Sequence, residues 1–116
     1  MNKYAAGMNG QLMAENFLQQ KGYNIIARNY RVRGGEIDII ATYENYLIFI
    51  EVKTRSKIAY GLPREAVGAA KQNRIKNTAM HYIAENELAD QDCRFDVVEV
   101  LTRSENAEIF HIENAF

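Results

Sequence analysis

The chain has 116 residues, 14 of them basic and 15 acidic, for a net charge of −1. That length suits one domain over residues 1–116 with a single layered core. Apolar residues at 47%, charged residues at 25% and a single proline exclude a polycation, an acidic tail protein and a proline-rich disordered array. One cysteine, Cys93, excludes an internal disulfide framework and a multi-cysteine zinc site. The longest apolar run, Tyr46–Ile50, is far too short to cross a bilayer, and the N-terminal residues have no apolar signal segment. The expectation is a soluble cytoplasmic protein with no membrane partner.

In chain order, Met8–Lys21 is predicted helical, with Ala14, Phe17, Leu18 and Lys21 on one face and Gly22 as the stop. Tyr23–Arg31 reads as a strand, Gly34-Gly35 as a turn and Glu36–Thr42 as a second strand. After a turn at Tyr43–Asn45 comes Tyr46–Lys53, apolar on both faces and so suited to a central strand. Thr54–Leu62 reads as a loop. A helical pattern runs from about Arg64 to Asn86, with Pro63 in its first turn. Ile75, Ala79, Tyr82 and Ile83 share one face, with Val67 and Ala70 above them. Arg94–Leu101 and Glu108–Ile112 are strands, the last an edge. Three meandering strands, a helical crossover and a parallel neighbour make a mixed sheet flanked by helices, an α/β sandwich.

Charge is unevenly distributed. Residues 21–76 carry 11 basic and 5 acidic side chains, whereas residues 77–116 carry 2 and 9. A basic middle can present one positive face to a polyanion, or the two parts can neutralise each other across the fold. Within the middle, Glu36 and Asp38 share a face of the second strand, and Glu51 and Lys53 share a face of the third. A two-residue loop at Glu44-Asn45 pairs residues whose numbers sum to 89, which sets Asp38 opposite Glu51 and Glu36 opposite Lys53. A four-residue loop still keeps all four charges on one face, whereas a three-residue loop splits them unless a bulge intervenes. Two carboxylates with waters and a phosphate oxygen can complete the octahedron of Mg²⁺, and a neighbouring lysine can stabilise developing negative charge. The competing reading is a cross-strand salt bridge at a sheet end. The apolar run before Glu51 brings both of its charges toward the core, where uncompensated charge costs several kcal/mol per ion.

Gly34-Gly35-Glu36-Ile37-Asp38-Ile39-Ile40, Phe49-Ile50-Glu51-Val52-Lys53-Thr54-Arg55, Gly61, Lys71 and Arg94-Phe95-Asp96-Val97-Val98 closely resemble the YraN-like family. Gly7 through Gly10 to Ala14 and Leu18, and the ending His111–Phe116, fit as well. These are small uncharacterised bacterial proteins with a restriction-endonuclease-like fold, in a superfamily that includes Holliday-junction resolvases. The resemblance implies an αβββαβ core with Asp38 and Glu51 as metal ligands, for Mg²⁺ or Mn²⁺, and Lys53 as the catalytic lysine. Where the family usually has glutamate after the second N-terminal glycine, this chain has Gln11. Glu15, one turn on, is either a substitute acid or a solvated helix residue.

Arg28, Arg31 and Arg33 precede these carboxylates, Arg55, Lys57 and Arg64 follow them, and Lys71, Arg74 and Lys76 mark one side of the second helix. Tyr30 and Tyr60 are interleaved with them. Arg28, Arg31, Arg33, Arg55, Lys71 and Arg74 are the expected nucleic-acid contacts, made to phosphates and not to bases. His81, His111 and Cys93 have no ligand-spaced partners and read as structural, the thiol as buried or inert. Asp96 reads as an arginine partner that fixes the fold. The expected function is metal-dependent phosphodiester hydrolysis on branched or flapped DNA. The alternatives are a non-catalytic nucleic-acid-binding module and a protein-interaction adaptor that uses the acidic final third. A homodimer is compatible with the superfamily, in which two cuts need two sites.

Overall fold

The computed structural model describes residues 5–55, 67–102 and 107–116. Its elements are α1 (Ala5–Gln20), β1 (Asn24–Val32), β2 (Gly35–Tyr43), β3 (Tyr46–Arg55), α2 (Ala69–Glu85), β4 (Asp92–Leu101) and β5 (Glu108–Ile112). The sheet order is β1-β2-β3-β4-β5, with β3 and β4 parallel and the other pairs antiparallel. This is an α/β architecture with a five-stranded mixed sheet and two helices, compatible with a restriction-endonuclease-like core. No helix among the described residues is long and apolar enough to cross a membrane.

Helix α1 ends as its glycine directs. Tyr23 N donates to Leu18 O and Gly22 N to Gln19 O, with Gly22 at φ 96°. These are the two hydrogen bonds of a Schellman stop, and Tyr23 packs back into the same cluster as Leu18. Lys21 therefore lies beyond the helix. Ala14 and Leu18 seal one face of the sheet against Ile39, Ala41, Ile48, Ile50, Val98 and Val100. On the other face, Ile75 and Ala79 of α2 cover Ile37, Ile40, Leu47, Phe49 and Val97. Burial on both faces explains why β3 is an unbroken apolar run.

Helix α2 begins later than the sequence pattern indicates. Its N-cap is Gly68, and Ala70 is exposed. A helix reaching back to Arg64, with Pro63 in its first turn, is therefore corrected. The described helix begins at Ala69, and Lys57, Tyr60, Gly61, Pro63 and Arg64 lie outside the described residues.

The α1 face of β4 carries a charged group that is fully paired. Asp96 is wholly buried and accepts two hydrogen bonds from Arg94, at 2.9 Å each, and one from Asn114 N at 2.9 Å. Lys21 Nζ lies 2.8 Å from His111 Nδ1, so Nδ1 accepts and Nε2–H is left to donate to Asp96 at 2.8 Å. Burial pushes the Asp96 pKa up, but the bonds from His111, Arg94 and Asn114 outweigh it and hold the carboxyl below its ordinary value. Asp96 and His111 are structural, as expected, and they anchor the end of the chain beside Phe116, which stacks on Phe95.

Asp96→Ala strands a guanidinium and an imidazole inside the protein. It should cost about 3–5 kcal/mol, read as a lower urea midpoint. A loss below about 1 kcal/mol would refute this account of the group.

Candidate functional site

The β2–β3 hairpin has the two-residue connection. Tyr43 pairs with Tyr46, and the ladder runs at the 89 sum to Ile39 and Ile50. There it stops. Beyond it, the Asp38 carboxylate accepts the Val52 N–H at 2.8 Å, so a side chain replaces the next rung. The neighbouring strand is disturbed at the same level. Asn29, facing Asp38 between the pairs Arg28–Ile39 and Tyr30–Ile37, has φ 51°. Arg28 consequently meets Glu15 of α1, whereas Tyr30 turns to Tyr82 of α2. Asparagine tolerates this left-handed backbone better than most residues.

Glu36, Asp38 and Glu51 line one cavity of about 260 Å³ beneath Lys71, Arg74 and Ile75 of α2. Glu51 is buried, and its Oε1 lies 2.6 Å from Lys71 Nζ and 4.0 Å from Lys53 Nζ. Of the four charges singled out on the hairpin, Glu36, Asp38 and Glu51 share the cavity and Lys53 lies beside Glu51, whereas Glu36 is held by Arg31 and not by Lys53, and Lys71 joins from across the crossover. Close approach makes this possible. A side chain at Gly35 would collide with Thr78 and press on the Arg74 carbonyl, and one at Gly10 would collide with Thr54.

Asp38 is raised from 3.8 to about 6, first by burial and then by the Glu51 charge, against the Val52 bond that lowers it. Burial and Lys71 depress Lys53, against the carboxylates. Lys71 is raised, because its bonds to Glu51 and Lys53 outweigh burial. Net positive charge therefore sits more on Lys71 than on Lys53.

Gln11 and Glu15 lie elsewhere. Gln11 Nε2 reaches the backbone oxygen of Asp38 at 3.4 Å, Asn29 Oδ1 at 3.1 Å and Glu15 at 3.3 Å, not the Asp38 carboxylate. Glu15 is 5% exposed and held by Arg28 Nε at 2.6 Å, so it is not a solvated helix residue. The basic residues are divided by the sheet. Arg28 lies on the α1 side, Arg31 binds Glu36, Arg55 approaches Glu99 and Lys71 binds Glu51. Lys76 sits over Phe95 and Phe116.

Sequence reasoning set Glu99 on the face of its strand opposite Asp96 and gave it no role. It is 7% exposed and in register with Lys53 across β3 and β4. Arg55 Nε is 3.2 Å from its Oε2, but that oxygen has no aligned hydrogen bond among the described residues. The available signal was the alternation Val97, Glu99, Leu101 on a strand otherwise apolar near its end. Cys93 is exposed, not buried. Partial burial of its sulfur and nearby Asp92 raise its pKa, which disfavours the thiolate. No group of three or more His, Cys, Asp or Glu side chains among the described residues is arranged to hold a metal ion.

Between pH 4 and 6 the native Asp38 holds more proton than the unfolded one, so its contribution to stability falls as pH rises through that window. Asp38→Asn removes this loss. It should stabilise the protein by about 1–2 kcal/mol at pH 7.5, with the gain gone below about pH 4. Thermal melts across pH check this, and a variant less stable than wild type at pH 7.5 would refute it.

Comparison with known proteins places the chain in a family. The profile of the uncharacterised protein family UPF0102 matches residues 10–100. A UPF0102 protein of Lachnoclostridium phytofermentans is 48% identical over all of this chain and 96% of its own length. Another, from Caldanaerobacter subterraneus subsp. tengcongensis, is 41% identical over all of this chain and 98% of its own. A third, from Clostridium novyi, is 44% identical over 95% and 93%. These full-length matches agree with the resemblance carried by the Gly-Gly-Glu-x-Asp and Glu-x-Lys segments, and the chain belongs to the UPF0102, or YraN-like, family.

Proposed function

We propose that this protein is a divalent-cation-dependent nuclease that hydrolyses phosphodiester bonds in branched or flapped DNA. The observation that carries this reading is the convergence of Asp38, Glu51 and Lys53 where the β2–β3 ladder opens. A lone surface salt bridge does not require two carboxylates to share a buried cavity, and holding them there has a cost.

The donor set fits Mg²⁺ or Mn²⁺. Asp38 and Glu51 are hard oxygen donors, and the Asp38 pKa is raised first by burial and then by the Glu51 charge, both of which a bound cation would offset. When bound, such an ion polarises a phosphate and lowers the pKa of its water. The chain's own groups do the rest. Val52 N–H fixes the Asp38 carboxylate in place. Lys71, already a cation on Glu51, competes for that ligand oxygen and would have to give it up to a bound metal ion. Lys53, 4.0 Å from Glu51 and with its pKa depressed by burial and by Lys71, is suited to donate a hydrogen bond to the reacting phosphate.

A labelled panel of single-stranded, duplex, flap and four-way DNA, incubated with Mg²⁺ or Mn²⁺, tests the reading. Wild type should cleave, and Asp38→Ala and Lys53→Ala should each lose on the order of 10²–10³-fold. Equal cleavage by all three would mark a contaminant. Binding without cleavage would favour the non-catalytic module, and no binding would favour the adaptor.

Lys71→Met should lower the Mn²⁺ concentration needed for half-maximal cleavage while reducing stability, because it removes the competitor and strands Glu51. A higher Mn²⁺ requirement would show that Lys71 assists the cation.

A further inference from the structure

The described arginines divide into two sets. Arg28, Arg31, Arg55 and Arg94 each face a carboxylate within ion-pair distance. Arg33 and Arg74 have no ion-pair partner among the described residues. Both line a single groove of about 540 Å³ between the β1–β2 turn and α2.

The rest of the lining is rich in donors. Asn77 and His81 share the groove with the two arginines, and neither side chain has a hydrogen bond among the described residues. Arg74, Asn77 and His81 fall at helical spacing on one side of α2, and Arg33 approaches from the turn opposite. No aspartate or glutamate lines the groove. His81, expected to be structural, is instead exposed. Arg74 also lines the cavity of Glu36, Asp38 and Glu51, so the groove adjoins the carboxylates.

That adjacency poses an electrostatic problem for a polyanion. A strand entering the cavity meets three carboxylates. The groove beside it offers two guanidinium groups with no competing anion. A guanidinium matches a phosphodiester with paired N–H donors, and such contacts position a strand without reading its bases.

We propose that this groove is a phosphate-binding subsite, which holds a backbone phosphate of the nucleic-acid strand next to the one presented to Asp38 and Glu51. It rests on the nuclease reading for the identity of the strand. Arg33 and Arg74 clamp the phosphate, Asn77 and His81 add further donors, and Arg74 links the subsite to the reacting centre.

The test is fluorescence anisotropy of the labelled DNA panel in Ca²⁺ at several salt concentrations, with cleavage in Mn²⁺ measured in parallel. Wild type is compared with Arg33→Gln, with Arg33→Gln/His81→Ala and with Lys76→Gln, which removes a charge over Phe95 and Phe116, outside the groove. Arg33 is exposed on a turn, so its replacement should leave the fold intact, as circular dichroism will show. Arg33→Gln should weaken binding several-fold and reduce the magnitude of the salt slope by about one, with the double variant weaker still and Lys76→Gln close to wild type. Unchanged affinity and slope for Arg33→Gln, or an equal loss for Lys76→Gln, overturns the subsite and leaves the cleavage reading standing. The expected loss in a protein that cuts nothing supports the subsite and removes the chemistry. A wild type that binds no member of the panel overturns both.

Discussion

The Val52 N–H donates to the Asp38 carboxylate where the antiparallel ladder would otherwise demand a carbonyl. That one exchange opens the hairpin just past Ile39 and Ile50 and sets two acids at the mouth of a sheet otherwise filled with isoleucine, leucine and valine. Much of the surrounding structure follows from having to bear that charge. Lys71 reaches in from α2, Gly35 lets the helix come close enough to do so, and Asn29 adopts a left-handed backbone on the neighbouring strand. Departures from regular geometry concentrated at one place in an otherwise consistent fold are what a functional site tends to impose.

The two faces of the sheet treat an inward-facing aspartate, wholly buried at Asp96 and half-buried at Asp38, in opposite ways. Asp96 is surrounded by donors from Arg94, His111 and Asn114, and its pKa is held down. Asp38 has one backbone donor and an acidic neighbour, and its pKa is pushed up. The same side chain therefore serves as a finished structural link in one place and as an unsatisfied ligand in the other. Perturbed carboxylates of the second kind are the ones to examine for chemistry.

How much was legible in the sequence follows from how local each signal is. The hairpin was readable but its register was not, because the alternating pattern shows which residues share a face whereas the pairing depends on a loop length that the sequence leaves open between two, three and four residues. The double burial of β3 was readable from its unbroken apolar run. The Lys71–Glu51 pair was not, since it needs the crossover helix to land at one particular angle, and periodicity alone carries no such angle. The Arg28–Glu15 pair was hidden for a related reason. Asn29 reverses the facing of β1, and an asparagine inside a strand pattern marks an irregularity without saying which way the chain turns. The basic residues were legible as a group, but their division into paired and unpaired members depends on acids far away in the chain.

The parallel pairing of β3 with β4 has a consequence for the order in which the protein takes shape. The β2–β3 hairpin closes over two residues, whereas β4 must wait for the whole α2 crossover to be traversed. Short-range pairing is fast and long-range parallel pairing is slow. Asp38 and Glu51 are therefore joined by the short-range pairing, whereas Lys71 and the register neighbour Glu99 reach them only through the long-range one.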